Sequence, residues 1–227
     1  MRKAASVRRF CSIGMSTKSF FGSTEVVLGP NAVQNLENLR KAMGSTKAAK
    51  LIVVSDFDHT LTKFTSLQCH DVVGYHKDFS SSFTEEYRGS FLLPFGSLAE
   101  WWRYTHDLIV DKSGLTKTMF HERLSEGHVH ARSGFGQLAV TLRENNCPFI
   151  IVSAGFKDII HHTMAQLNAS VEHDHLFHID ANYLEFAECG KISGVLPEVP
   201  VHSRSKHEVA VRAAHMFAFI HDAQSFE

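Results

Sequence analysis

Leu51-Ile52-Val53-Val54-Ser55-Asp56-Phe57-Asp58-His59-Thr60-Leu61 is the stretch that decides the fold. Its first half is a short, β-branched apolar run bounded by polar residues. Such a run reads as a strand buried on both faces, as in a parallel sheet. Its second half sets two carboxylates two residues apart at the C-terminal end of that strand, where open α/β sheets bind their ligands. On an extended backbone Asp56 and Asp58 point to the same side. Crowded carboxylates repel, so the pair requires a cation or a shared proton. Mg²⁺, a hard ion that takes oxygen ligands and keeps several waters, suits it. Ordinary turn aspartates at a capped strand end are the competing reading.

The 227 residues suffice for one sizeable domain or a domain with an insertion. Hydrophobic residues make up 44% and charged residues 21%, the balance of a soluble globular protein. A formal net charge of -1 argues against broad electrostatic binding to nucleic acid polymers or anionic membranes. No apolar run approaches the ~18 residues that would span a bilayer. Cys11, Cys69, Cys147 and Cys189 are scattered without C-x-x-C spacing, which points to reduced thiols and an intracellular, cytoplasmic home. The 16 histidines tempt a zinc reading at His128/His130, His161/His162 and His173/His175/His178. None carries ligand spacing with cysteines or an H-E-x-x-H helix, so solvated or locally bonded histidines are expected.

Residues 1–24 carry Arg2, Lys3, Arg8, Arg9 and Lys18, frequent serines and no acid before Glu25. This is the composition of an organellar transit peptide. Arg9-Phe10-Cys11-Ser12 looks like a processing site, which keeps a mitochondrial or plastid location open. A disordered basic tail fits equally, and either reading sets 1–24 outside the fold. Pro30-Asn31, then Val33, Leu36, Leu39 and Met43, predict a lead-in helix before the first core strand. Residues 64–130 lack a second strong strand, and Trp101, Trp102, Tyr104, Leu108, Ile109, Met119, Phe120 and Leu124 predict amphipathic helices there. Phe135, Leu138 and Leu142 predict a further helix. Pro148–Val152 predicts a second buried strand, followed at once by Ser153-Ala154-Gly155 and a helix over 157–167. Short strands are expected at 177–179 and 183–186. A helix is expected from Lys206 to Met216, and a strand at Phe217-Ala218-Phe219-Ile220, just before Asp222.

The full D-x-D-x-T behind an apolar strand resembles the signature of the haloacid-dehalogenase-like phosphohydrolases. That resemblance implies an α/β fold. A Rossmann-like parallel-sheet core occupies 25–63 and 131–227, with an α-helical cap inserted at 64–130 that closes over the site and sets specificity. It implies that Asp56 attacks phosphorus to form an aspartyl-phosphate. Asp58 protonates the leaving alkoxide and then activates water. Mg²⁺ is held by Asp56, a phosphate oxygen and the Asp58 carbonyl. Ser153, ending a buried strand ahead of a helix, offers its hydroxyl and the following amides to a phosphate, or serves as the helix cap. Lys206 opens a helix, where the dipole disfavours a cation unless it faces an anion. Asp222, following a strand parallel to the first, would lie beside Asp56 as a third metal ligand.

Four segments narrow the resemblance to the cytosolic 5′-nucleotidase type III (pyrimidine 5′-nucleotidase) family. They are Ser55–Phe64, Glu100–Ile109 (E-W-W-R-Y-T-H-D-L-I), Ser153–Ile160 (S-A-G-F-K-D-I-I) and His202–Glu208 (H-S-R-S-K-H-E). The resemblance implies Mg²⁺-dependent hydrolysis of nucleoside 5′-monophosphates, pyrimidine ones first, and names no protein partner. It carries the nucleophile to Asp56 and the acid/base to Asp58. Phosphate contacts fall to Ser153, Ala154 and Lys206, and a cap-to-substrate contact to Thr105. The chain departs from the family in three places. The region Tyr87–Ser97 offers no equivalent of the family's base-reading glutamate. Phe226 stands where the family's G-D-S-x-G-D motif has its second aspartate. The family's elements beyond that motif have no counterpart, so a core lacking its C-terminal part is expected. Another small phosphate ester as substrate, or a non-catalytic nucleotide binder, are the alternatives.

Overall fold

The computed structural model describes residues 17–21, 24–28, 34, 35, 37, 38, 41, 51–167, 175–197 and 199–223. They fall into two units, Met1–Leu51 and Ile52–Glu227. In the first, β1 (Thr17–Phe21) and β2 (Thr24–Leu28) pair antiparallel, with Thr17 opposite Leu28 and Phe21 opposite Thr24. Part of the stretch set aside as a basic tail therefore forms a hairpin. Its Thr, Val and Phe residues are strand formers, a local preference that a reading based on charge alone passes over. Of the lead-in helix, Gln34, Asn35, Glu37, Asn38 and Lys41 are described, and all are helical.

The second unit is built on a four-stranded sheet of order β3-β4-β5-β6. Strand β3 (Val53–Ser55) runs parallel to β4 (Phe149–Phe156), and β4 runs parallel to β5 (Phe177–Phe186). Strand β6 (Ile192–Leu196) is antiparallel to β5. The two short strands expected at 177–179 and 183–186 are thus one ten-residue strand. Its first half pairs with β4 and its second half with β6. Residues 149–153 are all buried, as a strand covered on both faces requires.

Residues 64–130 carry the helices expected there and no strand of the sheet. They comprise α1 (Cys69–Gly74), α2 (Ser81–Gly89), a 3₁₀ turn at Ser90–Leu92, α3 (Leu98–Lys112) and α4 (Lys117–Ser125). Helix α3 starts with a capping box. Ser97 Oγ accepts the Glu100 N–H, and the Glu100 carboxylate accepts the Ser97 N–H. Glu100, which opens the E-W-W segment, is therefore occupied in holding the helix end. The core helices are α5 (Phe135–Glu144), α6 (Lys157–Gln166) and α7 (Lys206–Ala223). No described helix is long and apolar enough to cross a membrane.

The C-terminal expectation is corrected. Residues 217–220 are not a strand; α7 runs on through them to Ala223. Val209, Ala213 and Phe217, spaced by four, continue one apolar stripe that packs on Ile150, Val152 and Val201. A four-residue apolar run is compatible with either element, and here the stripe of the preceding helix decides. Among the described residues β3 consequently has one strand partner, β4, and Val54 is 44% exposed.

Candidate active site

The parallel register sets Ser55 beside Ile151, so the chain leaving β3 and the end of β4 reach the same edge of the sheet together. Phe57 is fully buried, and its carbonyl accepts the amides of Thr60, Leu61 and Thr62 at 3.2, 2.9 and 3.2 Å. This tight turn anchors the two aspartates on either side of Phe57. His59 takes φ 58°, a conformation that a non-glycine residue holds only when its surroundings fix it. Here Thr62 Oγ1 accepts its N–H at 2.8 Å, Arg132 Nη2 donates to its carbonyl at 2.7 Å, and Gln68 Nε2 meets its ring at 2.8 Å.

Asp56 Oδ1 accepts the Phe57 N–H at 2.7 Å and lies 2.6 Å from Lys206 Nζ. The lysine at the start of α7 thus faces the candidate nucleophile. The turn before it is fixed by His202, whose carbonyl accepts the Ser205 and Lys206 amides and whose own N–H donates to Ser205 Oγ. Asp58 is mostly buried. Burial raises its pKa and the nearby Asp56 charge adds to the rise, while the backbone and thiol of Cys69 and the His70 ring act against it. Cys69 N–H donates to Asp58 Oδ1 at 3.0 Å. Burial, then Asp58, push the Cys69 thiol well above its ordinary range.

Ser153 is fully buried within β4, three residues before its end. It is not the cap of α6: that position falls to Phe156, which has no side-chain capping bond. Ser153 Oγ instead accepts the Gly155 N–H at 3.0 Å. This uses a lone pair of the hydroxyl and not its proton, but it engages one of the amides expected to cradle a phosphate. Gly155 must be glycine for a packing reason. A Cβ there would lie 2.5 Å from Cys69 Cβ, 2.7 Å from Cys69 Sγ and 3.0 Å from Asp58 Oδ2. Thr105 is buried on α3, and its hydroxyl donates to the Trp102 carbonyl at 2.9 Å. Its neighbour His106 packs against Phe156, which brings this helix to the end of β4.

Asn182 escaped the sequence reading. It is fully buried on β5, where its Nδ2 donates to the carbonyls of Ala154 (2.8 Å) and Val201 (3.0 Å) and its Oδ1 accepts the Val201 N–H (2.9 Å). One amide side chain therefore ties the Ser153–Gly155 stretch of β4 to the segment leading into Lys206. The available signal was an asparagine amid the alternation of Phe177-His178-Ile179-Asp180-Ala181-Asn182. The structure does not bring Asp222 to this cluster. Sixteen residues separate it from Lys206 on one helix, which is roughly 24 Å along the axis.

Among the described residues no group of three or more His, Cys, Asp or Glu side chains is set to hold a metal ion. The two aspartates still fit Mg²⁺, which binds through one or two carboxylates and keeps water in its remaining positions. They are close enough for Asp56 to raise the Asp58 pKa, and a cationic Nζ already sits on Asp56.

The fold is that of the haloacid-dehalogenase-like phosphohydrolases. The chain is similar to cytosolic 5′-nucleotidase IIIB, solved bound to cytidine, at TM-score 0.58 and 17% identity over 76% of this chain and 62% of that one. It is similar to a substrate-bound phosphoserine phosphatase at TM-score 0.51 and 18% identity, over 74% of this chain and 71% of that one. Within this fold the chain belongs to the pyrimidine 5′-nucleotidase (UMPH-1) family, whose model matches residues 94–226, more than half of its length. It is 27% identical over 209 residues to the 7-methylguanosine phosphate-specific 5′-nucleotidase of Mus musculus, a match covering 83% of this chain and 67% of the relative. The chain thus spans about two thirds of the length of that curated relative and less of the solved nucleotidase.

Proposed function

We propose that this protein is a Mg²⁺-dependent 5′-nucleotidase that releases phosphate from nucleoside 5′-monophosphates through an aspartyl-phosphate on Asp56. The observation that carries the reading is the convergence of Asp56, Asp58, Lys206 and the Ser153–Gly155 stretch of β4 at one edge of the sheet. Mg²⁺, held by the Asp56 carboxylate and the Asp58 carbonyl, would supply charge neutralisation to the phosphoryl group. Phe57 N–H and Lys206 engage Asp56 Oδ1, which assigns the attack on phosphorus to Oδ2. As the oxygen–phosphorus bond to Asp56 forms, the bond from phosphorus to the sugar 5′-oxygen breaks. The proton for that oxygen comes from Asp58, a carboxyl whose burial favours the protonated form. Asp58 then takes a proton from the water that hydrolyses the aspartyl-phosphate. The Lys206 ammonium and the Ser153 hydroxyl stabilise the transferring oxygens.

The substrate reading rests on the cap. His70, which acts electrostatically on Asp58, lies 5.8 Å from Trp102 and 6.3 Å from Phe91, and Phe91 lies 4.9 Å from Trp101. Phe91 is half exposed, so this aromatic run leads outward from the acid, and aromatic faces stack on nucleobases. The family model points to pyrimidine bases and the curated relative to 7-methylguanosine phosphate. Pyrimidine nucleotides are the primary assignment, and the second base is the comparison to run. The test is phosphate release from CMP, UMP, AMP, 7-methyl-GMP and phosphoserine, with and without Mg²⁺, for the wild type and Asp56→Asn. Mg²⁺-dependent release from nucleotides that falls about 10³-fold or more in the variant is expected. Release from phosphoserine alone, or nucleotide turnover that persists in Asp56→Asn, sinks the assignment.

A further inference from the structure

We propose that Arg123 binds one chloride-sized anion from solution where α4 meets α1 and α6, a site separate from the two aspartates. Arg123 is 2% exposed, the largest side chain among the fully buried ones described. Its guanidinium carries five N–H donors and keeps its charge at neutral pH. One face lies on the Phe79 ring, with Cζ 4.0 Å from the ring centre. Nη1 donates to the Val73 carbonyl near the end of α1 at a long 3.4 Å. Nε and Nη2 are buried and meet no acceptor among the described residues. Their hydrogens lie along one edge of the guanidinium plane, the fork through which arginine grips an anion with two parallel bonds.

The surroundings leave that edge without a counter-charge. Asp78 and Glu126 act on Arg123 through space, but burial outweighs them and holds its pKa at about 10. Both acids are bonded elsewhere: Asp78 lies 3.0 Å from His76 Nδ1, and Glu126 lies 3.3 Å from His76 Nε2 and 2.9 Å from His128 Nε2. The Phe79 ring offsets part of the charge but accepts nothing in the guanidinium plane. A buried charge with unmet donors is strongly unfavourable, so a partner is called for. Arg123 lines a small cavity with Val72 of α1, Ile159 and Thr163 of α6, and His128; none of the described residues lining it is an acid. The centre of a water-sized sphere has about 10 Å³ there, room for one such sphere and not for a phosphate or a nucleotide. A water accepts hydrogen bonds but brings no charge, whereas chloride does both. The bound anion would join α4 to α6 through the arginine.

The test is thermal unfolding of the full chain at constant ionic strength, with sodium chloride replacing sodium gluconate, whose anion is too large for the cavity. Diffraction from crystals soaked in sodium bromide accompanies it. For the wild type a saturable rise in Tm is expected, about 3–6 °C at ten times the chloride Kd. An anomalous bromine peak should stand at hydrogen-bond distance from Arg123 Nε and Nη2. Arg123→Met keeps the apolar stem, removes the charge and should abolish the chloride response. Where that variant does not fold, Val72→Ile takes its place; it adds a methyl to the cavity wall with Arg123 intact and should abolish the response by exclusion. A wild type indifferent to the exchange, an equal Tm rise in wild type and variant, or a water with no bromine peak at the guanidinium edge overturns the proposal. None of these readouts depends on whether the protein hydrolyses phosphate esters.

Discussion

Two regions of this molecule set an aspartate after a short apolar run, Asp56 after Val53–Ser55 and Asp222 after Phe217–Ile220, and they fold differently. After β3 the chain is held by polar bonds at named positions: three amides on the Phe57 carbonyl, Thr62 Oγ1 on the His59 amide, Arg132 on the His59 carbonyl. Each bond has a direction and a partner, so D-x-D-x-T specifies one turn. The C-terminal run has no such code. It is helical because Phe217 extends the stripe of Val209 and Ala213 onto Ile150 and Val152. Apolar burial is non-directional, and it takes whichever backbone lets the side chains reach a surface. Hydrogen bonds thus define the edge that carries Asp56 and Asp58, and packing defines the segment that carries Asp222.

Phe217→Ala tests the packing side of that contrast. Losing a buried phenyl group should destabilise the protein by about 4 kcal/mol in urea unfolding. A loss below about 1 kcal/mol would mean that the helical stripe does not extend to residue 217 in solution.

Asn182→Ala tests the polar side. It leaves the Ala154 carbonyl and both backbone groups of Val201 without their buried partner, at a cost of about 3 kcal/mol. It should also raise KM for nucleotide, because the Ser153–Gly155 stretch and the approach to Lys206 come apart; a stability loss with unchanged KM would confine Asn182 to the scaffold.

His106 combines both principles and has the smallest expected effect. Burial against Trp102 and Phe156 lowers its pKa to about 4 from an ordinary 6.5. Between those values the unfolded chain binds the extra proton, so folded stability falls as pH falls through this window and stays level above it. The loss due to this residue is about 2 kcal/mol at pH 5 relative to pH 8. Urea unfolding at the two pH values should show it in the wild type, and His106→Leu should remove it; an equal drop in both proteins would assign the pH response to other groups.

The sequence by itself determined the local geometry of the site and the order of its parts. A β-branched run ending in D-x-D-x-T, a second buried run ending in Ser153-Ala154-Gly155, and Lys206 at a helix start are short-range patterns, and each was legible because backbone periodicity and turn chemistry act over a few residues. Other features needed the fold. The Cys69 contact joins residues 58, 69 and 155, and the Asn182 clamp joins 154, 182 and 201; no spacing rule encodes such long-range meetings. The hairpin at 17–28 and the run of α7 through Phe217–Ala223 were missed because charge composition and a four-residue apolar run leave the backbone undetermined. Tertiary structure decides those cases, because burial is a property of the surface a segment lands on, and that surface is assembled from distant parts of the chain.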